Sequence, residues 1–201
     1  MEDSALVLSN KSFMLTEERN LMMQFRVGCF VLASVLLLMN HSAIAFAQEA
    51  DDTEITLRVV TPKEYEAEIK KHKGKVVLVD FWATWCIPCL KNFHHSVEWQ
   101  KKYAPNGLVV ISVSMDDDDA ETKQQALEFL KKQKAANITN LQSSLGGEEE
   151  AMKAFGITGG AIPFYKIYDK TGKLTQTFGT DPDNPPGPED VEAAVKRALG
   201  I

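Results

Sequence analysis

The chain has 201 residues, 44% hydrophobic and 25% charged, a composition that excludes a disordered chain and leaves room for one globular domain. Lys+Arg 22 against Asp+Glu 28 gives a formal net charge of -6 with no basic cluster, so nothing here could track a phosphate backbone and no nucleic-acid partner is expected. Three cysteines, Cys29 by itself and Cys86 with Cys89, are too few to staple a scaffold.

From Arg26 the chain runs uncharged through Val27–Met39, which suits a secretory apolar core better than a bilayer span of about 20 residues. Ala45-Phe46-Ala47 then fits the small-x-small cleavage pattern, so residues 1–47 read as a signal peptide and residues 48–201 as the mature domain. A start at Met22 or Met23 would leave Arg26 as the positive flank. The alternative is an uncleaved anchor over residues 27–47, since only Asn40, His41 and Ser42 interrupt the apolar path. Either way the domain lies outside the cytoplasm, in the periplasm or an equivalent space. Cys29 leaves with a cleaved signal, and a lone cysteine pair in an oxidising compartment is either an inert local disulfide or the centre of the protein's chemistry.

Thr61-Pro62-Lys63-Glu64 supplies a capping hydroxyl, a first-turn proline and a glutamate three residues after the cap, predicting a helix to about His72 that stops at Gly74. Lys75–Phe81 and Gly107–Ser114 are near-continuous β-branched and apolar runs, as strands covered on both faces are, and Pro88–Tyr103 between them reads as a crossover helix. The acids Asp116–Asp119 precede a helical pattern at Ala126, Leu127 and Leu130, where negative charge at a helix start is favourable. A calcium loop is the other reading of those acids, but the spacing of an EF-hand and its central glycine are missing. A weak strand near Ile138–Leu141 and a short acidic helix over Glu148–Phe155 follow. Phe164–Tyr168, a turn at Asp169–Gly172 and Leu174–Phe178 make an antiparallel hairpin, with Tyr165 or Lys166 expected to face outward. Asp181–Pro188 reads as a loop, and a last helix opens at Pro188 with Val191, Ala194, Val195 and Ala198 on one face.

Cys86-Ile87-Pro88-Cys89 falls at a strand-to-helix junction, where the free amides of a first helical turn stabilise a thiolate. Cys86 is therefore the expected nucleophile, with a pKa lowered from about 8.5 into the range of roughly 3.5 to 7.5, and Cys89, a turn deeper, the thiol that resolves a mixed disulfide. Pro88 loses nothing there because first-turn amides have no helical partner. A binding module is the alternative, with copper or zinc held by Cys86, Cys89 and His94 or His95. Against it, adjacent helical histidines should diverge by about 100 degrees. Peroxide chemistry is disfavoured because Ala83, three residues before Cys86, stands where a peroxidase would need threonine or serine.

Val77–Cys89, reading VLVDFWATWCIPC, resembles the active-site strand and loop of the thioredoxin superfamily, and Phe155–Pro163, reading FGITGGAIP, resembles the approach to that family's cis-proline. With the signal segment and the helix carrying Phe129-Leu130-Lys131-Lys132, the chain is most similar to the exported TlpA-like thiol-disulfide oxidoreductases, over residues 57–201. The resemblance implies an α/β, thioredoxin-like fold with a mixed central sheet flanked by helices on both faces. It implies a disulfide reductase that works on exported proteins, apocytochrome c among them, draws electrons from a membrane donor and needs no cofactor. It casts Trp85 as the shield of the sulfurs, Ile162 as backbone for an extended substrate, Pro163 as the cis-proline and Asp80 as the buried acid that relays the proton of Cys89. A solvated strand-end aspartate is the plainer alternative for Asp80. Asn92, where those reductases usually carry glutamate, and the extra Gly160-Ala161 depart from the family's pattern.

Overall fold

The computed structural model describes residues 54–179 and 187–201. The signal segment and most of the proline-rich loop fall outside these ranges. Six strands form one sheet in the order β1-β4-β3-β2-β5-β6. They are β1 (Arg58–Val60), β2 (Val76–Trp82), β3 (Leu108–Ser114), β4 (Thr139–Ser143), β5 (Phe164–Tyr168) and β6 (Leu174–Phe178). The first four run parallel, while β5 is antiparallel to both β2 and β6. The helices are α1 (Pro62–Lys71), α2 (Ile87–Tyr103), α3 (Ala120–Lys132), α4 (Glu149–Ala154) and α5 (Pro188–Leu199). None of these helices is long and apolar enough to cross a membrane.

Period-two alternation along β2 sorts the core. Phe81 points to one face, where it meets Tyr65 of α1 edge-on at 5.7 Å and Phe164 at 6.2 Å, and Tyr65 in turn packs on Phe155 just beyond α4. Its neighbour Trp82 points to the other face and packs at 5.1 Å on Phe93 of α2 and at 4.9 Å on Phe129 of α3. All seven residues of β2 are buried, so the strand has no solvent face and its sequence is correspondingly unbroken in apolar character except at Asp80. Each such Val, Leu or Phe contributes about 1.5–3 kcal/mol of transfer free energy. The central strand is the part of the fold that anchors the site.

Local chemistry sets the element ends. The Thr61 hydroxyl accepts the Glu64 N–H at 3.3 Å and the Glu64 carboxylate accepts the Thr61 N–H at 2.8 Å, the reciprocal cap that the sequence called for. Three readings change. β1 has no sequence signature, because three residues at a sheet edge carry too little periodicity to register. β4 lies later than Ile138–Leu141, since Gln142 and Ser143 are buried strand residues whose polarity hides them. Lys166 faces inward at 5% exposure. Its ammonium donates to the Phe155 carbonyl at 2.6 Å and lies over the rings of Tyr65 and Phe81.

Candidate active site

β2 delivers the chain through Ala83, Thr84 and Trp85 to Cys86, which is itself the N-cap of α2. The Cys86 sulfur accepts the Cys89 N–H at 3.3 Å, so one of the helix's orphan amides already points at the atom that would carry negative charge. Pro88 sits in the first turn, where its missing N–H breaks no helical bond. Cys86 and Cys89 are joined as a disulfide with Cα atoms 5.3 Å apart. The pair is nearly covered, at 5% and 2% exposure, while Trp85 and Ile87 beside it are 57% and 65% exposed and form an apolar rim.

Opposite the disulfide, the Ile162–Pro163 peptide is cis, and the Ile162 carbonyl oxygen lies 3.6 Å from Cys86 Sγ. Gly179, at φ +89°, backs this loop: a Cβ there would stand 2.3 Å from the Pro163 carbonyl oxygen, so only glycine lets β6 leave the sheet so close to the proline. Trp85, Cys86, Ile162 and Pro163, far apart in sequence, therefore meet at one surface.

Asp80 is the exception in the apolar run of β2. It is 2% exposed and accepts the Ser96 hydroxyl at 2.6 Å; burial pushes its carboxyl up to about 7, against the opposing pull of that hydrogen bond. Cys89, Phe93 and Ser96 share the buried face of α2, so Asp80 looks onto the same face that carries the deeper cysteine. It is not a solvated strand-end residue.

Asp116, expected in the helix-starting acidic run, lies instead before it, buried at the end of β3. Asp119 caps α3, accepting the N–H groups of Glu121 at 2.9 Å and Thr122 at 3.0 Å. Asp116 is 1% exposed and accepts from the Thr84 amide, the Thr84 hydroxyl at 2.6 Å and the Ser114 hydroxyl at 2.6 Å. It thus pins the backbone two residues before Cys86. Among four consecutive aspartates nothing local distinguishes it; a buried strand, β3, ending two residues earlier is the only sign.

The metal alternative joined Cys86 and Cys89 to a histidine. The two sulfurs are bonded to each other, and the potential ligand group among the described residues is His94, His95 and Glu98, without a cysteine. The imidazoles of His94 and His95 do not diverge as expected. Side-chain rotation brings the rings to 3.9 Å, with His95 stacked on Trp99.

This geometry, two vicinal sulfurs at a helix start facing a cis-proline, agrees with comparison to known proteins. The Redoxin family profile matches residues 49–195. The chain belongs to the Redoxin family. Among its relatives, the thiol-disulfide oxidoreductase ResA of Bacillus thuringiensis subsp. konkukian is 33% identical over 119 residues, which are 59% of this chain and 63% of ResA. Protein DipZ of Mycobacterium tuberculosis is 37% identical over 95 residues, 45% of this chain and 14% of DipZ. The chain thus spans less than two thirds of these relatives. The crystal structure of a putative thiol:disulfide interchange protein DsbE from Chlorobium tepidum superposes with a TM-score of 0.54 at 27% identity, covering 66% of this chain and 85% of that one. This Redoxin domain therefore has the thioredoxin-like α/β fold, a mixed sheet between two helical layers.

Proposed function

We propose that the protein is a thiol-disulfide oxidoreductase acting outside the cytoplasm as a reductant of protein disulfides, the apocytochrome c pair being one target. The observation that carries this reading is the Cys86–Cys89 disulfide at the start of α2 with the Ile162 carbonyl 3.6 Å from the outer sulfur. The names of ResA and the Chlorobium protein, thiol-disulfide oxidoreductase and thiol:disulfide interchange protein, support it.

In the reduced enzyme the Cys86 thiolate attacks one sulfur of the substrate disulfide. A mixed disulfide forms, and the substrate's other sulfur leaves as a thiolate that takes a proton from water. Ile162 aligns the substrate backbone beside Pro163, and Trp85 keeps water from the sulfurs. The Cys89 thiol then passes its proton towards Asp80 and attacks Cys86 Sγ, releasing the second substrate thiol. Two electrons have moved to the substrate and the enzyme is left with the Cys86–Cys89 bond seen here. A dithiol donor, at the membrane in the cell, restores the pair. The electrons reside on sulfur throughout, so the cycle calls for no further cofactor.

The test is insulin reduction with dithiothreitol as electron source. The wild-type protein accelerates precipitation of the insulin B chain and Cys86→Ser abolishes the acceleration. A fully active Cys86→Ser protein would refute the assignment.

A further inference from the structure

α2 buries Cys89, Phe93, Ser96 and Trp99, which leaves His94, His95 and Glu98 on its outer flank. One ligating atom from each of these three lies within 4.8 Å of the other two. His94 and Glu98 stand at i and i+4, and His95 and Glu98 at i and i+3, the spacings at which side chains on a helix are neighbours. His95 is the member that spacing alone does not bring in. The backbone sends it about 100 degrees from His94, yet the two ring centroids are 3.9 Å apart.

Each ring is held by something other than its neighbour. His94 Nδ1 lies 2.9 Å from the Lys91 carbonyl oxygen, and since a carbonyl only accepts, Nδ1 carries the hydrogen and Nε2 of the neutral ring keeps the lone pair that binds a metal. A backbone carbonyl on the far nitrogen is the common outer support of a metal-ligating histidine. His95 lies against the buried Trp99 indole, with centroids 5.7 Å apart and planes 18° apart, so the indole sets the plane of the ring. Its Nδ1 is 3.9 Å from Glu98 Oε2. That is too wide for a hydrogen bond and near the spacing of two ligands on one ion, about 3.3 Å when metal–ligand distances are about 2.0–2.1 Å. The exposed, flexible Glu98 side chain can close the difference.

The donor set selects the ion. Two imidazoles and one carboxylate hold zinc with a fourth position left open, and imidazole equally suits copper(II), whereas magnesium and calcium take oxygen ligands. Glu189 and Glu192 of α5 also act on the His95 ring with negative charge, although Glu192 is shared with Lys102 and Lys196. Cys86 caps the start of α2 and His94 lies about 12 Å further along the helix axis, so an ion held there is out of reach of the sulfurs.

We propose that His94, His95 and Glu98 form a binding site for one divalent ion of the zinc and copper(II) class on the outer flank of the active-site helix, with the remaining coordination position taken by water. The site is independent of the thiol chemistry: it uses neither cysteine, and it is complete while the Cys86–Cys89 bond is closed.

The experiment is a calorimetric titration of the oxidised full chain with zinc chloride, any free thiol having been alkylated so that no sulfur can bind the metal. One zinc ion should bind per chain, copper(II) should bind more tightly, and magnesium should not compete. His94→Gln and Glu98→Gln should each weaken zinc binding about tenfold or more. Both side chains are exposed, so the unfolding midpoints of the two variants without metal should match that of wild type and show that the loss is not a loss of fold. In the wild-type protein, zinc should shift the ring NMR signals of His94 and His95 and leave those of His72, on α1, in place. No zinc bound by the wild-type chain, an affinity unmoved by both substitutions, or magnesium competing on equal terms would overturn the proposal. None of these outcomes bears on the oxidoreductase reading, which insulin reduction tests separately.

Discussion

Asp80 is the residue on which stability and the proposed chemistry meet. Its carboxyl titrates near 7 in the folded protein, against about 4 when exposed, so between those values the native state holds a proton that the unfolded chain has lost. Its contribution to stability is thus fully present below pH 4 and is lost as pH rises through 7, a linkage of about 4 kcal/mol across that window. Asp80→Asn keeps an acceptor for the Ser96 hydroxyl and removes the ionisation. Denaturant midpoints for this variant should exceed those of wild type at pH 8 and converge with them near pH 4; identical profiles would mean that the carboxyl is solvated. The same substitution should slow release of the mixed disulfide while leaving the attack by Cys86 unaltered, because in the proposed cycle the group serves the inner sulfur. Single-turnover exchange separates those two steps, and an unchanged release rate would remove Asp80 from the cycle.

At the scale of elements, β5 and α4 are coupled through one buried lysine. The Lys166 ammonium satisfies the Phe155 carbonyl just past the end of α4, and so holds the start of the segment that ends at Pro163. Burial lowers its pKa to about 8. Between about 8 and the ordinary lysine value the unfolded chain binds the proton that the folded protein has lost, so this group makes stability rise with pH there. Lys166→Met leaves no charge to desolvate but strands the Phe155 carbonyl, a loss of about 1–3 kcal/mol. Urea midpoints at pH 8 and pH 10 are the check: the rise attributable to Lys166 should be missing in Lys166→Met, and an undiminished rise would show that the lysine titrates as a surface group. The α2 end of the site has simpler physics, since its donor to Cys86 Sγ is a backbone amide that no side-chain change removes.

Across the whole molecule, what the sequence made legible was what periodicity and punctuation encode. The unbroken runs at β2 and β3, the Thr61 cap and the C-x-x-C at a strand-to-helix junction each have a local signature, and together they place the cysteine pair at the start of a helix, as the structure has it. The second half of the site, the Ile162-Pro163 turn, came from resemblance to a family, because no local rule brings it to Cys86 from 76 residues away. The buried polar groups escape a local reading for one reason. Lys166, Asp116 and Gln142 look solvent-facing by residue type, and only tertiary partners, a carbonyl and two aromatic faces for Lys166, the Thr84 amide for Asp116 and the Asp117 carbonyl for Gln142, make their burial tolerable. The divergence expected of His94 and His95 failed similarly, since a backbone angle does not fix where two flexible side chains meet.

That this pair gives electrons, instead of taking them, is the central claim, and its reduction potential tests it most directly. Equilibrating Cys86 and Cys89 with defined glutathione ratios, and reading the oxidised fraction by thiol alkylation, should give a value well below the roughly -120 mV of a strong periplasmic oxidant. A potential near -120 mV would contradict the account and make this protein a donor of disulfides.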